Sequence, residues 1–382
     1  MTDQHHSGAS QMLASAQRIV IKIGSALLFD SGAGCARQDW MQALAQDIAQ
    51  LKAQNKEVIL VSSGSIALGR QILGLKKGSI RLEEKQAAAA TGQVSLVQHW
   101  ADALMHHKLH TAQILLAPED TETRKRHINA RTTMNTLLGL GVVPVVNEND
   151  TITTYEIRFG DNDRLAARVA AMMSADLLIL LSDIDGLYNA NPKQNSSAVH
   201  IPLIEEINED ILAMGGSSDT EFASGGMITK LAAAQIATQA GVAMMICSGL
   251  VHNPVNALAQ GAKASLFTPT TTPQNARKKW IAGALSPMGR IQVDDGAVAA
   301  LRAGKSLLPV GVVGVSGQFD RGDLVQILSP SGAEIGHGLA GLNITEAQQS
   351  AGKKSTELAA ILGYEGRAEL IHADDLVMIR QR

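Results

Sequence analysis

The sequence predicts an α/β protein built on a largely parallel sheet, with a small β-rich domain after it. From Arg18 to about Phe267, short apolar runs rich in Val, Ile and Leu alternate with longer amphipathic segments, the pattern of stacked βα units. After Pro269 the texture changes, since PTTTPQNARKKWIAGALSPMG (269–289) mixes turn formers, threonines and a basic cluster, as linkers do. The length of 382 residues also exceeds what one core ordinarily holds. These observations divide the chain into a flexible tail (1–17), a main α/β domain (18–270), a linker (271–287) and a C-terminal domain (288–382).

The strand candidates are RIVIKI (18–23), EVILV (57–61), AQILL (112–116), VVPVV (142–146), DLLILL (176–181) and VAMMIC (242–247). Between them lie helical patterns such as WMQALAQDIAQLKAQ (40–54) and RLAARVAAMM (164–173). Beyond the linker, short apolar runs separated by Gly, Asp and Ser read as strands. A composition of 45% hydrophobic, 18% charged and 3% aromatic residues fits aliphatic packing of helices on a sheet. With no apolar run of membrane-spanning length and no apolar signal in the first fifteen residues, a cytoplasmic protein with no membrane partner is expected. Cys35 and Cys247 match no metal or redox spacing and are expected as packing residues. A net charge of −3 gives no field for a polyanion, so a small substrate is expected.

In parallel sheets ligands bind beyond the carboxyl ends of the strands, and those ends are polar and glycine-rich here. The first strand runs into Lys22-Ile23-Gly24-Ser25, where a lysine and a glycine could cradle a phosphate, although a strand-end lysine is more often simply solvated. The second ends in Ser62-Ser63-Gly64-Ser65 at a helix start, either an anion site or an ordinary cap. After the fourth come Asn147-Glu148-Asn149-Asp150 and then Gly160-Asp161-Asn162-Asp163. These carboxylates and amides suit a zwitterionic amino acid, and they equally suit turns and caps. Ser182 and Asp183 follow the fifth strand, where an aspartate could contact nucleotide or a magnesium ion's water shell. Finally Ser224-Gly225-Gly226-Met227-Ile228-Thr229-Lys230 enters a helix, an anion site by dipole and free amides. It is not a P-loop, and Gly304-Lys305-Ser306 lacks the upstream glycine that would make one.

Read together and in order, VIKIGSALL (20–28), VSSGSIALGR (61–70), VPVVNEND (143–150), GDNDRLAA (160–167), LSDIDGLYNANP (181–192), SGGMITK (224–230) and NARKKWI (275–281) resemble the glutamate 5-kinases of the amino-acid-kinase family. The likeness runs from Arg18 onward. It implies a three-layer αβα sandwich that transfers the ATP γ-phosphate to the side-chain carboxylate of L-glutamate with Mg2+, giving L-glutamyl 5-phosphate, the first step of proline biosynthesis. Carried over residue by residue, it makes Lys22 and Lys230 the phosphate-holding, catalytic lysines and Ser63, Asp150 and Asn162 the glutamate-binding residues. ATP falls to Lys22, Ser182, Asp183, Ser224, Gly225, Gly226, Met227, Ile228, Thr229 and Lys230, and no residue is assigned to the metal. The resemblance further implies proline as feedback inhibitor, a homo-oligomer and a functional link to glutamyl-phosphate reductase.

The segment from about Pro287 resembles a PUA-type module. Such modules often bind RNA, but residues 289–382 carry slightly more acids than bases, which argues against RNA here. Two alternatives stand beside the main reading: a kinase of the same fold acting on N-acetylglutamate or aspartate, and an RNA-binding protein with an inactive kinase-like domain.

Overall fold

The alternating pattern folds into one eight-stranded sheet. In the computed structural model, which describes residues 3–30, 35–75, 78, 81–153, 161–216, 226–282, 287–364 and 369–379, the strands are β1 (Arg18–Ile23), β2 (Glu57–Ser62), β3 (Thr111–Leu116), β4 (Val143–Glu148), β5 (Leu177–Ser182), β6 (Leu203–Ile204), β7 (Ala243–Ser248) and β8 (Ala264–Phe267). Their order is β6-β8-β7-β5-β1-β2-β4-β3. Every pairing is parallel except β7 with β8. The expected strands are all present, and the short edge pieces β6 and β8 add to them.

Helices cover both faces, as in the expected three-layer sandwich. Period-2 alternation turns Ile19, Ile21 and Ile23 of β1 toward one face. There they share a core with α1 (Asp3–Ser15), α2 (Gln38–Ala53), α4 (Leu82–Met105) and α8 (Pro254–Ala259). Helix α2 buries Trp40, Leu44, Ile48 and Leu51, spaced to keep one stripe inward. Val20 faces the other way, into a core with α6 (Asn162–Met172), α7 (Met227–Gln239) and the later turns of α5 (Arg124–Gly139). Lys22 follows Val20 by two, so it leaves the sheet on the α6 and α7 side.

Helix α3 (Ser65–Ile72) and α4 cross with backbones touching. A Cβ on Gly69 would lie 1.7 Å from the Ala88 carbonyl oxygen, and one on Gly92 would lie 1.8 Å from that of Ser65. This crossing sets the height of Ser65 against α4.

Residues 1–122 with 129–273 form one compact unit, and residues 123–128 with 274–382 form a second. Two expectations need correction. The tail is ordered as α1, which buries Ala9 and Leu13, with Ala16 just beyond it. Lys56, only 4% exposed, donates to the carbonyls of Leu13, Ala14 and Ala16. Few apolar residues sufficed because the ammonium group satisfies the helix end. The supposed linker holds α9 (Pro273–Ala282), which buries Ile281 against Leu324 and Leu339 and pairs Arg277 with Asp375. Of the cysteines, Cys247 packs inside, its thiol pushed up to about 12 by burial, whereas Cys35 is exposed.

The second unit has its own five-stranded sheet of β9 (Gly289–Val293), β10 (Val312–Gly317), β11 (Leu324–Leu328), β12 (Glu334–Leu339) and β13 (Leu376–Met378). Its aliphatic core includes Ile291, Val325, Ile327 and Leu370.

Candidate active site

Because β1, β2, β4 and β5 run parallel, the loops at their carboxyl ends converge. They enclose a cleft of about 550 Å³ lined by Lys22, Ser63, Asp150, Asn162, Ser182, Asp183 and Lys230, which brings together seven of the expected site residues. Gly64 lets the chain leave β2 and enter α3: its φ of 109° lies in the left-handed region, where a side chain would be strained. The Ser63 N–H donates to the Ile23 carbonyl at 3.2 Å, tying this loop to the end of β1.

The centre of the cleft is a residue that the motif contained and the site assignment left out. Asp161 caps α6, accepting from the N–H groups of Asp163 at 2.8 Å and Arg164 at 2.9 Å. That turn drives Asp163 inward to 1% exposure, where Lys22 pairs with its Oδ1 and Lys230 Nζ lies 3.1 Å from its Oδ2. Thr229 Oγ1 lies 2.9 Å from the same Oδ2 and 2.9 Å from the Gly226 carbonyl oxygen, and it accepts from the Gly226 N–H at 3.2 Å. Burial pushes the Asp163 carboxyl up, but the charges and hydrogen bonds of Lys22 and Lys230 outweigh it and hold the group below its ordinary value. Asp161 is raised, by burial first and by the charge of Asp163 as well, against the opposing N–H of Arg164.

On the opposite side the cleft is built of amides. Asn162 Nδ2 donates to Asn147 Oδ1 at 2.9 Å, and Asn147 Nδ2 donates to Gln93 Oε1 at 2.8 Å and to Ser65 Oγ at 3.2 Å. Glu148, Asp150 and Asp161 stand beside them, while Arg70 and Lys85 line the cleft as cations.

A second cavity of about 580 Å³ shares Asp183 and Lys230 with the first and adds Gly226, Met227 and the segment Tyr188 to Gln194. Asp183 accepts from the Ser182 hydroxyl at 3.2 Å and faces Lys193 at 3.5 Å. Burial pushes its carboxyl up, but these partners prevail and it lies below its ordinary value. Ile228 is half-exposed and Thr229 serves Asp163, so the expected nucleotide stretch contributes Gly226, Met227 and Lys230 to this cavity. Ser224 and Gly225 lie outside the described residues.

Two lysines thus stand at the mouth of a parallel sheet without a P-loop. The amino acid kinase family matches residues 17–248. The chain belongs to the amino acid kinase family. A PUA domain matches residues 289–362. Among curated members of the family, the glutamate 5-kinase of Rhizobium rhizogenes is 55% identical over 370 residues, covering 97% of this chain and 95% of that protein. The glutamate 5-kinase of Bradyrhizobium sp. is 54% identical, covering 97% of this chain and 98% of its own length. That of Paracoccus denitrificans is 55% identical, covering 96% and 98%. The family read from the motifs is thus the family found.

For a kinase of this family a magnesium ion is implied. Among the described residues no three His, Cys, Asp or Glu side chains group as a cation site, and both oxygens of Asp163 already face lysines. These residues fit an ion carried by nucleotide phosphates and held through few protein contacts. Asp183 is a carboxylate common to both cavities and would face the water shell of such an ion.

Proposed function

We propose that the chain transfers the γ-phosphoryl group of ATP to the side-chain carboxylate of L-glutamate, giving L-glutamyl 5-phosphate, the entry compound of proline synthesis. The observation that carries this reading is the Lys22–Asp163–Lys230 cluster, two cations on one buried carboxylate, between a cavity suited to a nucleotide and a pocket of acids and amides suited to an amino acid.

A glutamate carboxylate has a pKa near ~4.3 and is ionised at neutral pH, so it attacks without a general base. One of its oxygens forms the new bond to the γ-phosphorus while the bond from that phosphorus to the β,γ-bridging oxygen breaks, and the electron pair leaves with ADP. The obstacle is the approach of two anions. Lys22 and Lys230 meet it by holding charge where the transferring group passes, and the loops around them hold the reactants in line. Magnesium, entering with the nucleotide, supplies further charge neutralisation on the phosphates. Ser63, Asp150 and Asn162 hold glutamate, with the carboxylate of Asp150 suited to its ammonium group.

We also propose that proline inhibits at or beside the glutamate pocket, that the chain works as a homo-oligomer in the cytoplasm, and that its unstable acyl phosphate passes to glutamyl-phosphate reductase. The test is ADP release with glutamate and magnesium, set beside aspartate and N-acetylglutamate, with and without proline. Glutamate-dependent release suppressed by proline is expected. Preference for another acid would overturn the substrate assignment.

A further inference from the structure

Gln93 lies on α4, behind the cleft lining, and is 6% exposed. Its Oε1 accepts from Asn147, yet its Nε2 is buried with no hydrogen-bond partner. A buried amide N–H without a partner is costly, and a site that keeps one calls for a reason. The reason lies at the other end of the side chain.

Asn147 is buried and spends both N–H groups inward, on Gln93 Oε1 and Ser65 Oγ, so its own Oδ1 is left to accept from Asn162 Nδ2. If Asn147 turned over, its carbonyl would face the carbonyl of Gln93. The acceptor on Gln93 therefore sets the direction of donation along the chain from Asn162 to Asn147 to Gln93. With Nδ2 of Asn162 drawn inward, its Oδ1 is the acceptor left for the cleft and takes no hydrogen bond among the described residues. The backbone contact of Gly92 with Ser65 fixes the spacing that lets Ser65 and Gln93 share one amide.

We propose that Gln93 is a positioning residue for the amino-acid substrate, orienting Asn147 and through it Asn162 so that the Asn162 carbonyl oxygen meets the substrate's α-ammonium group. This rests on the glutamate reading and names the part of glutamate that the amide side of the pocket reads. Carboxylates without an ammonium group gain nothing from this contact.

The test uses the full-length chain with Gln93→Met, which keeps volume and removes the acceptor, and Gln93→Glu, which keeps acceptors only. Glutamate KM is measured by ADP release, and glutarate, the same diacid without the amino group, is measured as an inhibitor competing with glutamate. For Gln93→Met, glutamate KM should rise roughly tenfold or more, with ATP KM and glutarate Ki unmoved. For Gln93→Glu, glutamate KM should stay close to wild type. An unchanged KM in Gln93→Met, or KM and glutarate Ki rising together, overturns the proposal, the latter outcome marking a purely structural role. Should Gln93→Met fail to fold, Gln93→Glu decides: a glutamate KM raised tenfold against an unmoved glutarate Ki overturns it, and a wild-type KM supports it. A wild-type chain inactive with glutamate removes both the substrate reading and this proposal, whereas an active wild type with an unmoved Gln93→Met removes the proposal alone.

Discussion

Asp163 meets two lysines with a single carboxylate, so these three side chains together carry one net positive charge. A charge held at the transferring group is worth on the order of 10² to 10⁴ in rate. Lys230→Ala is therefore expected to melt as a folded protein while losing turnover by that factor, as ADP release under saturating substrates would report. The same cluster sets an acid limit. The Asp163 carboxyl is lowered in the folded chain, so its stabilisation is fully present above the unfolded value of about 3.9 and is lost as pH falls through the lower folded value. The gap in urea midpoint between wild type and Asp163→Asn should stay level from pH 7 down to about 4 and close only below that. At this scale the sequence yields Lys22 and Lys230, which follow a strand and enter a helix, but it hides Asp163. An aspartate two places after another in a Gly-Asp-Asn-Asp run reads as cap chemistry. Asp161 does cap, and only the fold reveals that its neighbour receives two lysines from distant loops.

Helices α3 and α4 touch through glycines, and the amide chain under the cleft depends on that closeness. Gly92→Ala would force its Cβ against the Ser65 carbonyl, costing about 1–3 kcal/mol. A lower thermal midpoint together with a raised glutamate KM is expected, and a midpoint equal to wild type would contradict the crossing. Removing residues 1–16 strips Leu13 from the core and leaves Lys56 without its three carbonyls. The loss should be about 3 kcal/mol or more, read as a drop in the urea midpoint. The central strands were legible because parallel strands buried on both faces form unbroken aliphatic runs. Helix α1 was not, because it buries only a few small or scattered residues and draws its order from Lys56. Strands β6 and β8 are too short to carry a period.

Every residue lining the two cavities belongs to the first unit. A chain ending at Pro273 is thus expected to keep glutamate-dependent ADP release with KM values near those of the full chain. It should be less soluble, since Ile128 loses its packing against Ile281, Leu324 and Leu339. Gel filtration beside the kinetic assay would report both. The change of texture near Pro269 lies close to Gln274, where the main stretch of the second unit begins. It mistook α9 for a connector because a basic, proline-led helix with one inward face looks like linker composition. Helix α1 packs against α8 and β8, which are made much later in its unit. The emerging chain therefore offers this helix Lys56 early, but completes its berth only when residue 267 has cleared the ribosome. The first unit thus reaches its full packing late in synthesis, when its N-terminal helix meets the last strand of its sheet.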